Sequence, residues 1–134
     1  MKKLISTLLV PAFIMLSSFT IEAQQRSLSA SAGTVQVLQF HLEHRCVSCL
    51  KIEKFTKATL TKHFPSLSLT TVNVEEKKNE KIAEQFEASG SALFLFNPKT
   101  GKKINLTQFA FMNVGDEKKF NAGLKKQIQD FLKS

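Results

Sequence analysis

The stretch Val35-Gln36-Val37-Leu38-Gln39-Phe40-His41-Leu42-Glu43-His44-Arg45-Cys46-Val47-Ser48-Cys49 decides how this chain folds. Its first half, VQVLQFHL, is dense in β-branched and large apolar residues and reads as a strand buried on both faces. The two cysteines of the chain follow at once, three positions apart. From Val47 to Phe64 the pattern becomes helical. Cys49, Ile52, Phe55, Leu60 and Phe64 fall within about half of the helical wheel, and Lys51, Lys54 and Lys62 lie largely outside it. Pro65 marks the end of that helix. A buried strand therefore runs into a helix across a Cys-x-x-Cys pair.

Downstream, Leu67 to Val74 (LSLTTVNV) reads as a second strand, with its apolar phase shifting between Leu69 and Val72. Asn79 to Glu87 predicts a short helix with Ile82, Ala83 and Phe86 on one side. Ala92 to Phe96 (ALFLF) is a short buried strand, and Asn97-Pro98-Lys99-Thr100-Gly101 is turn chemistry leading to Ile104 and Leu106 as a hairpin partner. Gln108 to Met112 is apolar between elements and is expected to close the core, with any exposed part free to receive a partner protein. Asp116 then caps a last helix, in which Phe120, Leu124, Ile128 and Phe131 recur at helical spacing. The expected order is β-α-β-α-β-β-α. Sequential β-α-β units imply a parallel start, and the hairpin adds antiparallel strands. The fold class is α/β, a mixed central sheet with helices on both faces, in one domain over residues 34–134.

Upstream, Lys2 and Lys3 open the chain and Leu4 to Ile21 carries no charge. That run ends at Ile21-Glu22-Ala23, with a small residue before a plausible cut, which is the layout of a cleaved secretory signal over residues 1–23. Pro11 and several serines weaken it as a membrane span, so no membrane association is expected beyond export. Residues 24–33 (QQRSLSASAG) read as a flexible lead-in. The expected location is the periplasm or the exterior, where disulfides persist.

The chemistry concentrates in His44-Arg45-Cys46-Val47-Ser48-Cys49. A thiol at a helix start meets unpaired N–H groups and the positive end of the helix dipole, which stabilise its anion. Cys49 lies inside the first turn, within reach of a disulfide. Arg45 adds positive charge beside the first sulfur, as His44 does when protonated. Such a pair suits exchange, with Cys46 attacking a partner disulfide and Cys49 resolving the mixed disulfide. Two other readings stand beside it. One is a static bridge, although a loop this short constrains the unfolded chain weakly. The other is metal binding, with His44 joining the sulfurs as H-x-C-x-x-C.

These pieces carry a resemblance. The strand VLQFHL, the motif EHRCVSC, the segment VNVEE before a short helix, SGSALFLF and NPKTGKKI resemble a thioredoxin-like domain from Val35 to about Leu132. Within that superfamily, RCVSCLKIE, NVEEKKNEKIAEQFEASGSALFLF and INLTQFAF are similar to the bacterial ArsF-like proteins, labelled subunits of a nitrophenyl compound nitroreductase. The resemblance implies a redox-active Cys46–Cys49 pair with Cys46 as the exposed nucleophile. The chain departs from thioredoxins in carrying Arg45 before the motif and Val47-Ser48 inside it. Phe40 falls near the place of their buried aspartate, with Glu43, His41 and His44 as nearby substitutes. Ser91 falls where the superfamily has a cis-proline facing the cysteines. Gly90-Ser91 is therefore expected to be trans, with a hydroxyl free to point at the sulfurs and a reduced pair more open to soft ions. These departures favour a dedicated partner protein bearing a thiol or disulfide over general disulfide reduction.

Composition bounds the remainder. The chain has 134 residues, 43% of them hydrophobic and 22% charged, in the range of a folded domain. Two cysteines exclude a disulfide-dense mini-protein and a four-cysteine zinc site. The net charge of +8 invites a nucleic-acid reading. Lys77, Lys78, Lys81, Lys118, Lys119, Lys125 and Lys126 alternate with acids, however, and no aromatic residues interleave with them for base stacking. His63 reads as a surface residue complementing the helix end. No nucleic acid or cofactor is expected, and the leading reading assigns no metal ligand. The function expected is thiol–disulfide exchange or electron transfer, and the alternative is a metal-binding or non-catalytic interaction module with a structural disulfide.

Overall fold

Val37, Leu38, Gln39 and Phe40 are all buried, as a strand covered on both sides requires, and they form the centre of β1 (Gln36–His41). The computed structural model describes residues 35–134. The expected export signal and lead-in lie outside the described residues. The elements after β1 are α1 (Val47–His63), β2 (Leu69–Asn73), a 3-10 turn (Lys77–Asn79) and α2 (Glu80–Gln85). They continue with β3 (Ala92–Phe96), β4 (Lys103–Asn105), α3 (Thr107–Asn113) and α4 (Glu117–Lys133).

The strands form one sheet in the order β2-β1-β3-β4. β1 and β2 are parallel, with Val37 opposite Leu69 and Phe40 opposite Val72, so α1 is the crossover that returns the chain. β3 lies antiparallel on the other side of β1, and β4 antiparallel beside β3. Gly101 makes the hairpin turn at φ 72°, its N–H bonded to the Asn97 carbonyl at 2.9 Å.

Strand periodicity divides the core between two faces. Val37, Leu93 and Leu95 point to the side covered by α1, α3 and α4, where Ile52, Phe55, Ala110, Phe120, Leu124 and Ile128 meet them. Leu38, Phe40, Val72 and Phe94 point to the other side and pack on Phe86, with Ile82 of α2 beside them. The shift of phase in the second strand follows from this division. Leu69 faces the first layer and Val72 the second, three positions apart and therefore on opposite sides. This is an α/β fold, a mixed four-stranded sheet with helices on both faces.

The order expected from sequence is incomplete by one helix. Thr107–Asn113, expected as an apolar segment between elements, is helical, with Ala110 buried and Met112 75% exposed. The segment packs on α4 at Gly123, where an added Cβ would come within 2.5 Å of the Phe109 ring. Asp116 caps α4 as expected, its carboxylate accepting from the Lys119 N–H at 3.0 Å. Among the described residues, no helix is long and apolar enough to cross a membrane.

Candidate functional site

Since β1 and β2 run parallel and β3 runs against them, the ends of β1 and β2 and the start of β3 share one edge of the sheet. Pairing of His41 with Asn73 and of Phe40 with Ala92 sets that edge. It gathers the segment from Leu42 to Cys49, the residues after Asn73, and Ser91.

Cys46 and Cys49 form a disulfide across this edge, with their Cα atoms 5.1 Å apart. The two cysteines differ sharply in setting. Cys46 is exposed and occupies the N-cap of α1, with extended backbone (φ −72°, ψ 157°). Its sulfur accepts a hydrogen bond from the Cys49 N–H at 3.1 Å. No acidic residue lies in the first turn of α1, so nothing there opposes the dipole. Cys49 is only 2% exposed, and its carbonyl accepts from the buried Gln39 Nε2 at 2.9 Å. Its sulfur lies 3.1 Å from the Ser91 hydroxyl. The described residues contain no cis peptide bond, so Gly90-Ser91 is trans. Val47 and Leu50 stand 71% and 50% exposed beside the cysteines.

The charged residues around the motif are directed elsewhere. Arg45 pairs through Nη1 with Glu53 one helical stretch along α1, and Lys57 takes the other carboxylate oxygen at 2.5 Å. The Lys57 hydrogen bond, and after it the bond and charge of Arg45, hold the Glu53 carboxyl below its ordinary value of 4.5, against the opposing effect of burial. The cation expected beside the first sulfur is thus already paired with a carboxylate. Nε and Nη2 of Arg45 are buried without a partner. Glu43 turns toward β2, accepting from Asn73 Nδ2 at 2.6 Å while its own N–H donates to the Glu75 carboxylate. His44 is exposed, and the His41 ring meets the Leu42 carbonyl at 2.9 Å. Of the candidate residues, the structure brings Cys46, Cys49 and Ser91 together; Glu43, His44 and Arg45 surround them without joining the sulfurs. Among the described residues, no group of three His, Cys, Asp or Glu side chains is placed to hold a metal ion.

The residue beneath the motif is Gln39 rather than Phe40. Phe40 points into the layer under α2, whereas Gln39 shares the α1 side with Val37. The visible signal was parity: a polar residue stands at an inward position of the strand entering the motif. Glu53 carries no comparable signal in the sequence. A helical glutamate eight residues from Arg45 is ordinary surface composition until the loop folds back on it.

No protein-family model and no curated protein matches the chain. Among solved structures, one described as "Structure of a malarial protein" is similar at 21% identity and a TM-score of 0.42. The similarity covers 60% of this chain and 94% of that one.

Proposed function

We propose that this is an exported thioredoxin-like protein, allied to the ArsF-like group, whose Cys46–Cys49 pair exchanges thiol and disulfide with a dedicated partner protein in the periplasm or outside the cell. The observation that carries the reading is the asymmetry of the pair. Cys46 is exposed at the start of a 17-residue helix, and Cys49 stays buried behind it. Access and anion stabilisation both favour Cys46 as the sulfur that attacks or is attacked. Cys49 is placed to resolve, because its N–H already touches the Cys46 sulfur and its own sulfur cannot meet a large partner. The exposed Val47 and Leu50 give a partner apolar surface next to the reacting atom.

The reaction balances without a cofactor. A partner thiolate attacks Cys46 Sγ, the bond to Cys49 Sγ breaks, and a second thiolate completes transfer of two electrons; the reverse sequence oxidises the pair. The test uses single-cysteine variants and a disulfide-bonded test protein. Cys49→Ser accumulates a mixed disulfide through Cys46, and Cys46→Ser does not. Trapping through Cys49 alone, or equal trapping by both, contradicts the assignment.

A further inference from the structure

We propose that the Ser91 hydroxyl is a catalytic group of this couple, donating a hydrogen bond to Cys49 Sγ and stabilising the thiolate released when the disulfide opens. The inference rests on the exchange reading and deepens it. Burial disfavours the charged form of a thiol, so Cys49 at 2% exposure is a poor leaving group unless its anion is satisfied locally. Its other polar atoms are already committed, the N–H to Cys46 Sγ and the carbonyl to Gln39. At the sulfur itself stands Ser91 Oγ, 3.1 Å away. A disulfide sulfur carries no hydrogen, so the hydroxyl is the donor in the oxidised protein. The neighbouring cation does not substitute for it, because Arg45 is held on Glu53.

The step conserves atoms and electrons. An incoming thiolate forms a bond to Cys46 Sγ, the Cys46–Cys49 bond breaks, and its electron pair stays on Cys49 Sγ. The hydroxyl that touched a neutral sulfur now donates to an anion, and hydrogen bonds to charged groups are the stronger kind. Ser91 therefore acts more on the opened state than on the closed one, as a rate effect demands.

Two measurements on the whole protein test this. One is opening of the disulfide by dithiothreitol. The other is titration of the Cys49 thiol by thiolate absorbance in a Cys46→Ser background. Ser91→Ala should weaken acid dissociation of Cys49 about tenfold, the scale of a hydrogen bond to a charged group. Opening should slow about threefold, since exchange rates follow thiol basicity with a slope near one half. Ser91→Thr, which keeps the hydroxyl, should restore both. Unchanged titration and opening in Ser91→Ala would overturn the proposal, as would losses that Ser91→Thr fails to recover. Dithiothreitol opens the disulfide whether or not a partner protein exists, so failure here is separable from failure of the trapping experiment.

Discussion

On the α2 side of the sheet, Phe40, Phe86, Phe94 and Phe96 contact one another with ring centroids 5.1 to 5.8 Å apart, and no buried polar side chain lies among them. On the α1 side, Gln39 and Asn73 of the strands and Thr56 and Thr59 of the helix are buried. Thr59 ties α1 to α4 by donating to Asn121 Oδ1 at 3.1 Å, and Gln39 holds the first turn of α1 by the Cys49 carbonyl. Gln39 Oε1 and Thr56 Oγ1 are buried there without a partner. An aromatic layer contributes burial and tilted or edge-to-face contacts, whereas polar atoms in a core cost free energy unless they are bonded. The two faces thus divide the work. The α2 face stabilises the sheet, and the α1 face gives up some stability to fix the helix that carries the cysteines.

That division predicts unlike responses to substitution. The largest effect belongs to the aromatic face. Phe40→Ala removes a fully buried ring and should cost about 3 to 5 kcal/mol in urea unfolding of the oxidised protein. In the fraction still folded, the alkylation rate of reduced Cys46 should match wild type. A cost under about 1 kcal/mol would mean that this face is not a packed core. Gln39→Leu should do the opposite. It deletes one hydrogen bond together with one unpartnered oxygen, so the stability change is about 1 kcal/mol or less. The alkylation rate of Cys46 should shift, because the turn that presents the sulfur loses its anchor. A large loss of stability with no change in alkylation would erase the distinction between the faces.

Much of the fold was legible because its strongest signals are local. β3 was bounded to the residue by the run ALFLF between Ser91 and the turn at Asn97, and α4 by the spacing of Phe120, Leu124, Ile128 and Phe131 behind Asp116. α3 was not legible. Over seven residues Phe109, Ala110, Phe111 and Met112 form an apolar clump rather than a period, and only Ala110 is buried. The site was legible to the extent that it lies in contiguous sequence. Cys46 and Cys49 announce themselves by spacing. Ser91 required aligning a strand 42 residues away from Cys49, and the Arg45–Glu53 pair required knowing that the loop turns back along its own helix. Gln39 is hard to single out in sequence because a strand buried on both faces hides its parity. One residue of phase separates a ring in the aromatic layer from an amide beneath the cysteines.

The reduction potential of Cys46–Cys49, taken by equilibrating the protein with glutathione buffers and quantifying the free thiols, separates an exchanging pair from a fixed bridge. An exchanging pair with an exposed helix-capping sulfur should equilibrate at a potential less reducing than about −300 mV. A bridge that stays closed throughout, with a potential below about −300 mV, would mark it as a structural disulfide and contradict the account.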